Sequence, residues 1–284
     1  MADKIRLSII TPSLNSVHFI GRCLDNVIRQ LEPGIEHVIV DGASRDGTLD
    51  EIRRYKEIYP HIRLIAEPDR CQSEAMNKGI KLARGEIIGI LNVDDEYCEG
   101  TFNHVLSVFP KLKSPGLYIG DCIVFKNGEI QHHNRPRRFR YPQCLLGHIL
   151  VPFPLNSSAY FYPRELHDLV GPYNEDEHLA MDLDFLLRAS QAAYIHYENR
   201  VLGIFHLHAD SKSFLNDRAN NVGPTLERIY SLYQAELPWI VRFPVRFLYQ
   251  LFNHPVLEPL GYFWNYPEEI SWRAKKRLKG FFPG

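Results

Sequence analysis

The sequence has few cysteines and no long apolar run, and its charge is balanced. Only five cysteines occur in 284 residues (Cys23, Cys71, Cys98, Cys122 and Cys144). They are odd in number, widely spread and never form a C-x-x-C pair, which excludes a disulfide framework or a zinc knuckle and predicts a reduced, cytoplasmic setting. No window approaches the ~18 apolar residues of a spanning helix, and Met1–Arg6 leads into a strand-like run without a signal peptide's apolar stretch. Membrane contact is therefore expected only from the periphery. With 33 Lys and Arg against 34 Asp and Glu, the net charge of −1 gives no global pull toward nucleic acid. An anionic ligand must be held locally. Also missing are G-x-G-x-x-G after the first strand, G-x-x-x-x-G-K-[ST] and G-x-S-x-G, which argues against dinucleotide dehydrogenases, P-loop NTPases and α/β-hydrolases. There are no internal repeats or low-complexity tracts.

What is present is an ordinary globular composition, 45% hydrophobic and 24% charged, in a length that suits two domains or one α/β domain with an appendage. Residues 5–15 read as a buried strand broken at Thr11-Pro12-Ser13, followed by a helical pattern through Gln30. The alternation repeats as strand His37–Asp41, helix Thr48–Tyr59, strand Ile62–Ala66, helix Ser73–Ala83, strand Glu86–Asn92 and helix Gly100–Phe109. Strands separated by 10–15 helical residues predict right-handed βαβ units and a parallel sheet covered on both faces. From Gly116 to Asn134 a hairpin around Asn127-Gly128 is expected, which makes the sheet mixed. Arg135–Gln143 reads as a loop and Met181–Arg188 as a helix. After about Asn216 the chain turns aromatic and basic, as a C-terminal appendage.

In open α/β sheets ligands bind beyond the carboxyl ends of the strands. Three such loops carry acids here. In Asp41-Gly42-Ala43-Ser44-Arg45-Asp46-Gly47-Thr48, Asp46 or Thr48 suits a helix cap and Asp41 suits ligand binding. The loop Glu67–Gly79, containing Asp69, Asn77 and Lys78, joins a strand to a helix whose free N–H groups favour phosphate. In Leu91-Asn92-Val93-Asp94-Asp95, two adjacent carboxylates end a very apolar strand, a costly placement unless a cation or hydrogen bonds compensate them. A hard divalent ion shared with phosphate oxygens would do so.

Ser8–Asn15, Val40–Thr48, Glu67-x-Asp69 with Ala75–Gly79, and Leu91–Asp95, in this order, resemble the family 2 glycosyltransferases of GT-A fold, and the resemblance continues to about Ser213. It implies a mixed, mainly parallel sheet flanked by helices, with residues 1–215 forming the transferase domain (1–110 nucleotide-binding, 111–215 acceptor-binding) and 216–284 a helical appendage. It further implies a nucleotide-sugar donor, a saccharide or lipid-linked acceptor, inversion at the anomeric carbon, and a role in polysaccharide or glycoconjugate synthesis. By motif position, Thr11 and Pro12 would line the nucleotide and Asp41 would accept from the base. Asp69, Asn77 and Lys78 would also contact the donor, Asp94 would meet ribose or sugar, and Asp95 would bind Mn²⁺ or Mg²⁺. Cys71, Glu74 and Val93 depart from the family's usual Gly, Asp and Ser, which bears on the donor-sugar contacts.

An inverting transfer needs one carboxylate to accept the acceptor hydroxyl's proton. Asp182 and Asp184 lie two apart on a helix, about 200° from each other, so only one can face a site. The resemblance aligns Asp182 as the base, and Asp184 suits an ion pair with Arg188 at i, i+4. Relatives also carry a His-x-x-Ser-Lys stretch over the diphosphate, which makes His208 a metal or phosphate contact and Lys212 a phosphate contact. His206 suits burial.

In the tail, Trp239, Ile240, Phe243, Phe247 and Leu251 recur near helical spacing with Arg242 and Arg246 beside them. The stripe suits either an inner-leaflet membrane surface or packing on the catalytic domain or on a second subunit of a homodimer. Pro238, Pro244 and Pro255 are expected to interrupt any long helix. A non-catalytic nucleotide-sugar-binding scaffold is the alternative function. A nucleotidyltransferase lacks its early Gly-rich loop and Lys signature here.

Overall fold

The computed structural model describes residues 4–126, 128–208, 211 and 221–253. One nine-stranded sheet runs through the molecule in the order β3-β2-β1-β4-β8-β6-β9-β5, with β7 paired to β6. Its first half consists of β1 (Leu7–Ser13), β2 (Ile35–Asp41), β3 (Ile62–Ala66) and β4 (Ile87–Ile90), all parallel. Every residue of β1, β2 and β4 is buried, as continuous apolar runs in a sheet covered on both faces require. Helices α1 (Val17–Ile28), α2 (Thr48–Ile58), α3 (Gln72–Leu82) and α4 (Thr101–Val108) connect the strands as the periodicity predicts.

The second half is mixed. β6 (Gly116–Lys126) and β7 (Glu129–Asn134) pair as the expected hairpin, with Gly128 at φ +82° where an L side chain would be strained. β8 (Tyr160–Pro163) runs antiparallel to β4 and β6, β9 (Tyr194–Leu207) parallel to β6, and the short β5 (Glu96–Tyr97) antiparallel to β9. Helices α5 (Leu166–Val170) and α6 (Met181–Ala192) precede β9.

Two further helices, α7 (Val222–Ala235) and α8 (Trp239–Phe252), follow. Ile229, Tyr230, Tyr233, Leu237, Val245 and Tyr249 are buried in the same cluster as Ile10, Val38, Val40 and Phe185, so both helices complete the main core. Contrary to expectation, Pro244 does not interrupt α8; it sits inside the helix on its exposed side, where its ring meets solvent rather than the core and only the hydrogen bond to the Ile240 carbonyl is lost. Pro238 stands at the N-cap, and Pro255 lies outside the described residues. Among the described residues no helix is long and apolar enough to cross a membrane.

Candidate active site

The chain leaves β1 for β2 and β3 on one side and returns to β4 on the other. The loops after β1 and β4 therefore diverge and open a cleft at the switch point. A cavity of about 730 Å³ fills this cleft. Its floor is Pro12–Ser16, Gly42, Asp69–Gln72 and Asn92–Asp95. Its far wall comes from Phe153, Leu155, Asn156, His178–Leu183 and His208, and α7 adds Val222, Thr225 and Leu226.

Asp95 lies deepest, only 1% exposed. His206 N–H donates to its Oδ1 (3.0 Å), while Asn92 and Asn156 amides donate to its Oδ2 (3.0 and 2.7 Å). Burial, and next the neighbouring Asp94 charge, push its carboxyl well above the usual carboxylate range, against the pull of those donors. Asp94 is half-buried, with Oδ2 3.0 Å from His208 Nε2 and its carbonyl accepting from the Arg22 guanidinium at 2.6 Å. Phe19 packs against the His208 ring with centroids 4.9 Å apart.

At the other end of the cavity, Asp69 Oδ1 accepts from Lys78 Nζ (2.5 Å), which also reaches the Pro68 carbonyl and the carboxylates of Glu67 and Glu74. The buried Asp69 Oδ2 has no hydrogen-bond partner among the described residues. An orphaned buried acceptor in a cavity wall is costly without a ligand donor.

Asp182, which also lines the cavity, stands in the first turn of α6 and accepts from the Tyr160 hydroxyl at 2.8 Å. Asp184 turns away as its spacing requires: it is buried, pairs with Arg188 at 2.8 Å and accepts from Tyr233 at 2.7 Å.

The structure thus brings Pro12, Asp69, Asp94, Asp95, Asp182 and His208 around one cavity. It does not bring the others there. Thr11 points into the core, its hydroxyl 2.9 Å from His37 Nε2. Asp41 is fully buried beneath the loop, with its oxygens taken by Ser13 Oγ, Ser44 N–H and Ser44 Oγ. Asn77 uses both ends of its amide on the Tyr173–Glu175 loop. Lys78 acts behind Asp69 rather than on the cavity surface. Lys212 lies outside the described residues.

The comparisons with known proteins give the family and the fold. The family model described as Glycosyl transferase family 2 matches residues 8–178. The chain belongs to glycosyl transferase family 2. A similar member, the PGL/p-HBAD biosynthesis glycosyltransferase of Mycobacterium bovis, is 33% identical over 187 residues, 64% of this chain and 68% of that protein. The chondroitin synthase of Pasteurella multocida is 24% identical over 74% of this chain but only 21% of that longer protein. Among solved structures, S. aureus TarS 1-349 in complex with UDP-GlcNAc superposes with a TM-score of 0.67 at 18% identity, covering 88% of this chain and 73% of that one. The mannosyltransferase PcManGT from Pyrobaculum calidifontis, in complex with GDP-Man and Mn²⁺, gives 0.62 at 22% identity, covering 90% and 72%. The fold is GT-A and the chain is a glycosyltransferase.

Among the described residues no group of three or more His, Cys, Asp or Glu is arranged to enclose a metal. Mg²⁺ nevertheless needs only one or two protein carboxylates when substrate phosphates supply the rest. Protein donors fill three of the roughly four acceptor sites of the Asp95 carboxylate, leaving one direction. With Asp94 and His208 beside it, the set fits a hard cation shared with a diphosphate.

Two contributors to the site were not foreseen. Asn156 divides its amide, Oδ1 accepting from Ser158 N–H (2.9 Å) and Nδ2 donating to Asp95. Tyr160 supplies the hydrogen bond to Asp182. The departing Cys71 lies in the cavity wall with its thiol 3.4 Å from the Glu175 carbonyl, and Glu74 is engaged by Arg70 and Lys78.

Proposed function

We propose that this enzyme moves a sugar from a nucleoside-diphosphate donor to a saccharide or lipid-linked acceptor with inversion at the anomeric carbon. The observation that carries the reading is that Asp182 and the Asp94–Asp95 pair line one cavity, the pair equipped to hold a diphosphate and Asp182 to accept a proton.

The nucleotide lies along the loops after β1 and β3. Asp69 Oδ2, the acceptor left open there, takes an N–H of the base, and Lys78 holds Asp69 in place. Asp41, whose oxygens Ser13 and Ser44 already occupy, braces the loop instead. Asp94, oriented by His208, accepts from a ribose or sugar hydroxyl. Asp95, with Asp94 and His208 adjacent, would hold Mn²⁺ or Mg²⁺. Such an ion supplies positive charge that stabilises the departing diphosphate. Lys212 adds a phosphate contact on this reading.

The acceptor hydroxyl approaches from the wall formed by Phe153, Leu155 and α6. Its oxygen forms the new bond to the anomeric carbon as the carbon–phosphate-oxygen bond breaks. The electron pair leaves on the diphosphate and the hydroxyl proton goes to the Asp182 carboxylate. The TarS and PcManGT complexes make uridine and guanosine diphosphate sugars the first donors to test. The mycobacterial and Pasteurella relatives point to glycoconjugate or polysaccharide assembly.

Asp182→Asn tests the assignment. It removes proton acceptance but little ground-state binding, so transfer should fall by about 10²–10⁴ while diphosphate affinity, measured calorimetrically with Mn²⁺, stays within a few-fold. Parallel loss of affinity and turnover would reject Asp182 as the base.

A further inference from the structure

Helix α8 presents an unusual surface. Trp239, Ile240, Phe243 and Phe247 are 77%, 66%, 76% and 56% exposed. At 100° per residue they fall within an arc of about 100° on one side of the helix. Pro244 and the half-buried Leu251 continue that arc, whereas Val245 and Tyr249, on the opposite side, are buried in the core. Helix α8 therefore has two faces, one packed on the enzyme and one, carrying the stripe, unpartnered among the described residues.

We propose that the unpartnered face of α8 docks in the plane of an anionic lipid bilayer. Three features select a bilayer over a protein partner. First, the composition is that of an interfacial helix, with Trp and Phe on the outer arc and Arg242 and Arg246 one turn apart along one edge. Arg246 is exposed, and its stem can lie along the apolar arc while the guanidinium reaches headgroups. Second, the charge is of one sign. α8 contains no Asp or Glu, and Ser271–Gly284 carries Arg273, Lys275, Lys276, Arg277 and Lys279 without an acid, with Trp272, Phe281 and Phe282 among them. In a chain of net charge −1, that segregation suits anionic headgroups; a face mating with a second copy gains nothing from positive charge alone. Third, α8 is fixed to the cavity wall. A Cβ at Gly147 would lie 2.8 Å from the Tyr249 ring, so α8 packs directly on that backbone, and the next residue, His148, lines the cavity. α7, which precedes α8, lines it through Val222, Thr225 and Leu226. Docking through α8 brings the acceptor side of the cavity to a membrane, where, on the function proposed above, a lipid-carried acceptor would be presented.

Flotation of the full-length chain tests the proposal without donor or acceptor, so its outcome is independent of the transfer reaction. Vesicles of phosphatidylcholine with and without phosphatidylglycerol are compared. The wild type should float with the anionic vesicles, less so in high salt. Phe243→Glu/Phe247→Glu should weaken this by about tenfold or more, because two large apolar side chains lose their burial. Arg246→Glu should weaken binding to the anionic vesicles selectively. These side chains are exposed, so melting temperature and diphosphate affinity should match the wild type and exclude misfolding as the cause. Failure of the wild type to float, or equal flotation of the double variant, would overturn the proposal. So would a lipid-independent dimer abolished by the same substitutions, which would assign the face to a second copy.

Discussion

On the function proposed above, the side chain behind Asp182 tunes it as a base. Tyr160, fully buried, donates to Asp182; its oxygen lies 3.2 Å from the Tyr173 hydroxyl, which lies 3.4 Å from that of Tyr162. His167 Nε2 meets Tyr162 at 3.1 Å, and its Nδ1 meets the Gly171 carbonyl at 3.0 Å. A carbonyl only accepts, so Nδ1 carries the hydrogen. Burial holds the imidazole down to about 4, hence neutral, and Nε2 must accept from Tyr162. Burial, and then the Asp182 charge, keep Tyr160 protonated, so the network points its last hydrogen at the carboxylate. Tyr160→Phe removes a donor that favours ionised Asp182. Turnover should fall by about tenfold, the acid limb of the pH–rate profile should move to higher pH, and diphosphate affinity should be unchanged. A uniform loss with an unmoved profile would reduce Tyr160 to a packing residue. Helical periodicity alone put Asp182 and Asp184 on different faces of α6, and the family resemblance chose Asp182 between them. Tyr160 and Asn156 were not, because they reach Asp182 and Asp95 from 22 and 61 residues away, a pairing that only the sheet order creates. The burial of Thr11 and Asp41 and the engagement of Asn77 by the Tyr173–Glu175 loop were hidden for the same reason: motif position marks a place in the chain, but which way a side chain turns depends on what the fold stacks beneath it.

At the scale of elements, β1 to β4 and α1 to α4 declared themselves because each strand is a short apolar run and each helix has a clear periodic face, whereas the two-residue β5 did not. The helix ends differ from expectation by only a residue or so: α2 ends at Ile58 and α3 at Leu82. The second half was harder to read. β9 reads Tyr-Ile-His-Tyr-Glu-Asn-Arg-Val-Leu-Gly-Ile-Phe-His-Leu, its polar residues masking a strand that β6 pairs along most of its length. β8 is only four residues, too short for a pattern. One contact of the legible half is unusually tight. α3 crosses the sheet at Gly79, where an added Cβ would lie 2.5 Å from Ile10 Cγ2 and 3.2 Å from Val40 Cγ2. Both are core side chains with little room to yield. Although alanine favours helices, Gly79→Ala should therefore destabilise the enzyme by about 1–3 kcal/mol in denaturant titration. Because Lys78 is the preceding residue, diphosphate affinity should drop as well. An unchanged or raised stability would mean that the helix can lift from the sheet without cost.

For the whole molecule, the fold holds imidazoles neutral against their ordinary preference. Burial pushes His37 down to about 3 and His148 and His167 to about 4, and lowers His61 and His206 as well. The unfolded chain takes up protons at these sites near the ordinary imidazole value of 6.5 while the folded chain does not, so acidification favours unfolding. Asp95 and Asp121 act oppositely, since burial raises both carboxyls and the folded state binds their protons first. Five imidazoles against two carboxyls leave the histidines dominant. Denaturant midpoints should therefore fall steadily between about pH 6.5 and 4 at constant ionic strength. His37 is the cleanest probe, since it is wholly buried and its Nε2 partner is the Thr11 hydroxyl. His37→Gln keeps a polar group facing Thr11 but cannot titrate, so the variant should be less stable at pH 7 yet lose less stability on acidification. Parallel pH curves for variant and wild type would remove His37 from the set of groups that make this enzyme acid-sensitive.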